Sequence, residues 1–230
     1  MRIIFVRHGE PNYADDCLTE NGVEQAISTG KKLKTETIKA VYSSPLGRAK
    51  ETASYIAAEQ GVDVQVLDYL HEINWGSRNG EELEFDGHPW TLAYRLIAEY
   101  PDCIGNDKWM EHPYFKNNIC MDYYDKISAA FDELLEQYGL VRDGKVYRLN
   151  NQCDDTIAVV FHGGTGAVIF SHLFNQPLPY ILTAMPFGVC SVTVISLTAE
   201  NGDVVIPRFE CFNDMSHLGQ VRKEGLRFDK

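Results

Sequence analysis

The first ten residues constrain the fold most. Ile3-Ile4-Phe5-Val6 is an unbroken apolar run, mostly β-branched, that passes straight into Arg7-His8-Gly9-Glu10. Such a run suits a strand buried on both faces, as in a parallel sheet covered by helices, with Arg2 at its exposed start. In open α/β sheets ligands bind beyond the carboxyl ends of the strands, which is where Arg7, His8 and Gly9 fall. Arg7 offers a planar fork of donors for a phosphate or carboxylate. His8 offers a neutral nitrogen nucleophile or acid/base near neutral pH, and Gly9 lets the backbone approach a ligand closely.

A second strand of the same kind, Thr156–Phe161, also runs into histidine and glycine: His162-Gly163-Gly164-Thr165-Gly166, with a helix expected over 167–174. Between the two, Thr19 is expected to cap a helix whose apolar stripe is Val23, Ala26, Ile27, Gly30 and Leu33. Ala40-Val41-Tyr42 is a short strand. Ser44 before Pro45 is expected to start a helix running to about Glu59, with Arg48 in its first turn. A cation there opposes the helix dipole, a conflict that an anionic ligand resolves. Val64–Leu67 is a third strand, and the loop after it sets Glu72 between apolar neighbours as a candidate general acid.

From about Glu81 to Cys120 the chain crowds prolines and aromatics, with a short helical piece over Thr91–Glu99. It is expected to be an inserted, cap-like segment over the active site, its aromatics forming either a small core or a substrate wall. A helix over Met121–Tyr138 closes on Gly139, and Lys145–Leu149 is an edge strand. Cys190–Leu197 and Val204–Cys211 form a hairpin turning at Asn201-Gly202, followed by a polar segment, Asn213 to Leu218. The alternation predicts an α/β fold: a three-layer α/β/α sandwich with a mostly parallel central sheet, one domain over 1–230.

The formal net charge of −12 argues against nucleic acid or an anionic membrane surface as partner. It also makes a local cluster of Arg and His more informative. No run approaches the roughly 20 apolar residues of a membrane span, and the N-terminus carries no leader pattern. Six scattered cysteines lack any C-x-x-C pair, which points to reduced thiols in a cytoplasmic protein rather than disulfides or zinc. No feature bears on oligomeric state. Arg7, His8, Arg48 and His162 are all placed at strand carboxyl ends. Two guanidiniums repel a divalent ion but suit a phosphoryl dianion, and phosphoryl transfer is largely positioning and charge stabilisation. Neither metal nor cofactor is required by that logic.

Arg7-His8-Gly9-Glu10, the stretch Ser43-Ser44-Pro45-Leu46-Gly47-Arg48-Ala49-Lys50-Glu51-Thr52-Ala53, Glu72 and His162-Gly163 together resemble the histidine phosphatase superfamily. The likeness is to the branch of phosphoglycerate mutases and broad-specificity phosphatases. The resemblance implies that His8 is the nucleophile of a phosphohistidine intermediate, with the Gly9 carbonyl holding its other ring nitrogen. It implies that Arg7, Arg48 and His162 clamp the phosphoryl oxygens, helped by the Gly163 N–H. Glu72 would protonate the leaving alkoxide and then activate water. Pro11 and Ala14 depart from the family pattern, where a Thr or Ser and a phosphate-touching Asn are usual, so Asn12 is the candidate substitute. Ile73-Asn74-Trp75-Gly76 lacks the Arg-rich stretch of the mutases, which favours water as acceptor. The expectation is a metal-independent phosphomonoesterase acting on a small soluble phosphate ester. The alternatives are a phosphomutase, or a phosphate-binding scaffold without turnover. Arg78, His88 and Arg95 are candidates to reach the substrate, with the ordinary surface residue as the preferred reading of each.

Overall fold

The computed structural model describes residues 1–199 and 203–221. The chain begins with β1 (Arg2–Arg7), β2 (Pro11–Asn12), β3 (Cys17–Leu18), α1 (Glu20–Leu33), β4 (Ile38–Ser43), α2 (Gly47–Gln60) and β5 (Val64–Val66). It continues through α3 (Pro89–Glu99), α4 (Pro113–Lys116), α5 (Cys120–Gln137), β6 (Leu140–Asp143), β7 (Val146–Leu149) and β8 (Thr156–Phe161). Last come α6 (Gly163–Phe174), α7 (Leu178–Ala184), β9 (Val192–Ser196), β10 (Val204–Val205) and β11 (Arg208–Asp214).

The fold is α/β, with a mostly parallel central sheet flanked by helices, as the sequence predicts. Its six strands run in the order β11-β9-β1-β8-β4-β5, and only β9 opposes the common direction. The described residues divide into two compact units. The first comprises those of Met1–His71, Leu134–Gly163 and Phe187–Lys230 and contains the whole central sheet; the second comprises Glu72–Glu133 and Gly164–Pro186.

In the first unit Ile3, Ile4, Phe5 and Val6 are all fully buried, so successive residues of β1 are covered on both faces. Ile4 and Val6 pack with Val41, Ala158 and Val160 against Leu33 of α1 and Ala49, Ala53 and Ile56 of α2. Each large aliphatic side chain so buried contributes roughly 1.5–3 kcal/mol, and the alanines let α2 lie close to the sheet. Thr19 caps α1 as expected, its side chain accepting from the Gly22 N–H.

Four sequence expectations need correction. Helix α2 starts at Gly47 rather than Pro45, because Leu46 is extended (ψ 141°) and Ser44 is engaged elsewhere. Helix α6 starts at Gly163 rather than Ala167, so the glycines taken for a loop form its first turn. Val204–Val205 does not belong to the strand that pairs with β9; it joins β7 in a separate three-stranded sheet with β6, and β11 begins at Arg208. That separate sheet also gives the expected edge strand over 145–149 its partners on both sides, β6 and β10. The Asn201-Gly202 turn lies outside the described residues.

In the second unit the segment 81–120 carries α3, α4 and short 3-10 turns at Glu84–Gly87, Pro101–Cys103 and Gly105–Glu111. His88-Pro89 and His112-Pro113 each open a helix by one device. Proline takes the first helical position, and the histidine side chain accepts from the Thr91 or Tyr114 N–H. Trp109 is 1% exposed and Phe115 fully buried, packed edge to face at 5.5 Å, with Tyr124 edge-on to Trp109 at 5.7 Å. That part of the aromatic crowding is a miniature core. Among the described residues no helix is long and apolar enough to cross a membrane.

Candidate active site

Strand register builds the site. β1 and β8 are parallel with Arg7 opposite Phe161, and the His8 N–H donates to the Phe161 carbonyl at 3.0 Å. His8 and His162 therefore leave neighbouring strands at the same level, their ring centroids 5.0 Å apart. On the other side of β8, β4 brings Ser43 opposite Val160, and the Ser44 N–H donates to the Val160 carbonyl at 3.0 Å. That places Ser44 Oγ 2.7 Å from His162 Nε2. The same strand end feeds α2, whose second residue is Arg48.

The turn at residue 9 is tightly built. The Gly9 N–H donates to Thr52 Oγ1 at 3.0 Å, and Thr52 Oγ1 donates to the Arg48 carbonyl at 2.8 Å. A Cβ on Gly9 would lie 2.7 Å from the Gly22 carbonyl oxygen, so only glycine fits against the first turn of α1. Cys190, with φ +52°, donates its N–H to the carbonyls of Arg7 and His8 at 3.0 and 3.3 Å.

His8 is 2% exposed and its Nδ1 lies 2.7 Å from the Gly9 carbonyl oxygen. A carbonyl can only accept, so Nδ1 carries the hydrogen and Nε2 keeps its lone pair. Burial, reinforced by the Arg7 charge, pushes His8 down to about 3 despite the Gly9 bond. His162 is fully buried and is held far below the ordinary imidazole range, first by burial and then by His8 and Arg48. Ser44 Oγ already accepts from the Leu46 N–H at 3.2 Å. With one lone pair so used, Ser44 Oγ can either donate its proton to His162 Nε2 or accept a ring N–H from it.

The two guanidiniums are held alike. Arg7 Nη1 donates to the Phe187 carbonyl at 2.6 Å, and Arg48 Nη1 to Asp16 Oδ1 at 2.6 Å. Arg7 Nε, Arg48 Nε and His162 Nδ1 are buried with no hydrogen-bond partner among the described residues. A buried polar atom left unpaired costs about 1–3 kcal/mol, and three of them, two on arginines whose charges act on His8 and His162 and one on His162 itself, suit a ligand rich in oxygens.

The family model described as histidine phosphatase superfamily (branch 1) matches residues 3–208. The chain belongs to that superfamily. Among curated relatives, "Probable phosphoglycerate mutase GpmB" of Erwinia tasmaniensis is 31% identical over 105 residues, 40% of this chain and 49% of that protein. "Phosphoserine phosphatase 1" of Hydrogenobacter thermophilus is 28% identical over 151 residues, 60% of this chain and 66% of that protein. The matches thus span about half to two thirds of the relatives' length. Among solved structures, phosphoserine phosphatase from Entamoeba histolytica in complex with 3-phosphoglyceric acid shares the fold with a TM-score of 0.63 at 22% identity, covering 94% of this chain and 98% of that one. The mycobacterial glucosyl-3-phosphoglycerate phosphatase does so with a TM-score of 0.60 at 22% identity, covering 92% and 98%.

The remaining residues that the superfamily resemblance singles out lie as follows. Gly163 opens α6 directly after His162. Asn12 closes a local turn, Oδ1 accepting from the Ala14 N–H at 3.1 Å and Nδ2 donating to Asp15 at 2.9 Å. Glu72 belongs to the second unit, where its half-buried carboxylate accepts from the N–H groups of Ile73 (2.9 Å), Gly164 (3.2 Å) and Thr165 (3.0 Å). Those donors fix the plane of the carboxylate at the first turn of α6. Glu10 is spent on structure, its carboxylate accepting from Thr19 and Asn21. Among the described residues no three His, Cys, Asp or Glu side chains gather as metal ligands. Sequence reasoning passed over Asp16, Ser44 and Thr52. Ser44 was in view as a helix cap; nothing in the pattern of residues 12–16 marks Asp16.

Proposed function

We propose that this protein is a phosphomonoesterase that hydrolyses a small soluble phosphate ester through a phosphohistidine on His8, without a metal. The observation that carries this reading is the tautomer of His8. The Gly9 carbonyl holds Nδ1–H at 2.7 Å, so Nε2 keeps a lone pair, and Arg7 Nε, Arg48 Nε and His162 Nδ1 are buried without a partner among the described residues. Burial keeps that nitrogen unprotonated at neutral pH.

In the proposed reaction Nε2 attacks phosphorus and the ester P–O bond breaks. Arg7, Arg48 and His162 take the charge on the equatorial oxygens, with the Gly163 N–H and Asn12 as further contacts. Glu72 gives its proton to the departing alkoxide. It then takes a proton from water, the resulting hydroxide attacks phosphorus, and the P–N bond breaks to release inorganic phosphate.

The relative named a probable phosphoglycerate mutase favours a second reading, transfer of the phosphoryl group to another hydroxyl of the substrate. The relative named phosphoserine phosphatase favours water as the acceptor, as does the absence of arginines just after Glu72. The test is hydrolysis of p-nitrophenyl phosphate in the presence of chelator, with acid quenching to trap an acid-labile phosphoenzyme. Activity that survives chelator and disappears in His8→Ala is the expected result. Turnover that requires added magnesium, or isomerisation without phosphate release, overturns the phosphatase reading.

A further inference from the structure

Arg48 is gripped by two side chains of one loop, Asp16 and Tyr13, to which the reaction above gives no part. Asp16 Oδ1 accepts from Arg48 Nη1 at 2.6 Å, and Oδ2 accepts from the Gly47 N–H at 2.6 Å. The ring of Tyr13 lies 5.3 Å from the guanidinium carbon, across its face. The loop is built to sit there. Asp16 adopts φ +48°, a conformation that Asp tolerates better than most residues. A Cβ on Gly47 would fall 1.9 Å from the Asp16 carbonyl oxygen.

A guanidinium can meet two oxygens through its Nη1/Nη2 end or through its Nε/Nη2 side. With Nη1 taken by Asp16, the side edge remains, and Arg48 Nε is one of the buried nitrogens without a partner. Arg7 shows the same division, Nη1 on the Phe187 carbonyl and Nε unpartnered. One arginine is oriented by a backbone acceptor and the other by a carboxylate. The outcome for the free edge is the same.

We propose that Asp16 is a positioning residue for phosphoryl transfer, an inference that rests on the phosphatase reading: it holds Arg48 by Nη1 so that the Nε/Nη2 edge meets the transferring phosphoryl group. Asp16 acts through Arg48 and does not itself touch the substrate. The opposite role has a different signature. An acid that merely sits on the phosphate's cation would compete with substrate, and its removal would tighten phosphate binding.

The test compares wild type, Asp16→Asn and Asp16→Ala as full chains. It measures kcat and KM for p-nitrophenyl phosphate, inhibition by inorganic phosphate and by orthovanadate, and the thermal midpoint. Asn keeps one acceptor oxygen for Arg48 but turns an amide NH2 toward the Gly47 N–H, so it is the milder change. The expected result for Asp16→Ala is a loss of roughly 10- to 100-fold in kcat, the scale of a misplaced catalytic contact. Vanadate affinity falls with kcat, phosphate affinity and KM change little, and Asp16→Asn lies between. Unchanged kcat and vanadate affinity in a folded Asp16→Ala variant overturn the proposal, even if the midpoint drops. Should that variant not fold, unaltered kcat and vanadate affinity in Asp16→Asn, whose amide gives up the Gly47 bond, overturn it instead. Tighter phosphate binding with faster turnover overturns it in favour of competition. A wild type that neither hydrolyses the ester nor binds vanadate removes the phosphatase reading itself, and this inference with it.

Discussion

Ser44 Oγ and His162 Nε2 lie 2.7 Å apart, and this bond partners one ring nitrogen of a fully buried histidine. It also ties the end of β4 to the end of β8. Replacing Ser44 by Ala removes the partner of a buried Nε2, a cost of about 1–3 kcal/mol, and releases the ring to turn. Ser44→Ala is expected to lower the urea midpoint and to reduce kcat/KM by less than His162→Ala does. Kinetics equal to wild type would show that the bond serves stability alone.

The buried histidines give the stability a defined pH dependence. Burial, with the Arg7 charge second, pushes His8 down to about 3; burial, with Lys32 second, pushes His217 to about 4; His162 moves the same way. In the unfolded chain each titrates near 6.5, so below that pH the unfolded state binds more protons than the folded one. Stability is therefore full above about pH 6.5 and falls toward the depressed folded values. The slope approaches about 1.4 kcal/mol per pH unit for each such site. Denaturation midpoints at neutral and mildly acidic pH check this, and His8→Asn should flatten the slope. A midpoint unchanged between the two conditions contradicts the neutral assignment.

The sheet was legible because its determinants are local. Ile3–Val6 and Thr156–Phe161 can be buried on both faces only as inner strands, and the histidines that follow them mark the end where ligands bind. Parallel pairing then placed His8 beside His162 with no further information. The errors fall where a side chain had two possible partners. Ser44 could cap a helix or bond His162, and the tertiary bond won, moving the start of α2 to Gly47. Gly163-Gly164-Thr165-Gly166 could be a loop by propensity but is the first turn of α6, with Glu72 accepting from two of its N–H groups. Asp16 could not be found at all, because its partner Arg48 is 32 residues away and nothing local requires an acid there.

Gly9 is a position where a side chain would disturb the site. A Cβ would lie 2.7 Å from the Gly22 carbonyl oxygen and 3.2 Å from Leu18 Cδ2. The nearer atom is backbone in the first turn of α1, so residue 9 has to move. Gly9→Ala is expected to cost about 1–3 kcal/mol, as overpacking does. The shift would also loosen the Gly9 N–H to Thr52 bond and, through Thr52, the Arg48 carbonyl. The check is a joint loss of denaturant midpoint and of orthovanadate affinity. A stable variant with unaltered vanadate binding would mean that the turn relaxes freely.

Glu72 separates the two halves of the proposed reaction. Its Oε1 accepts from Ile73 N–H, Thr165 N–H and Thr165 Oγ1, and Oε2 accepts from Gly164 N–H. A glutamine that keeps its oxygen at the first position retains those three bonds and gives up the Gly164 bond, about 1 kcal/mol, and the fold should survive. With an alkyl phosphate the leaving alkoxide needs a proton, so Glu72→Gln should lose roughly 10²–10⁴ in kcat, the usual contribution of a general acid. With p-nitrophenyl phosphate the leaving group departs without help. Phosphorylation of His8 then stays fast while water attack slows. Rapid-quench experiments should show a burst of p-nitrophenol and a phosphoenzyme that accumulates to a stoichiometric level. An equal loss on both esters, with no accumulated phosphoenzyme, would remove Glu72 from the proton transfers and leave its carboxylate only the task of fixing the first turn of α6.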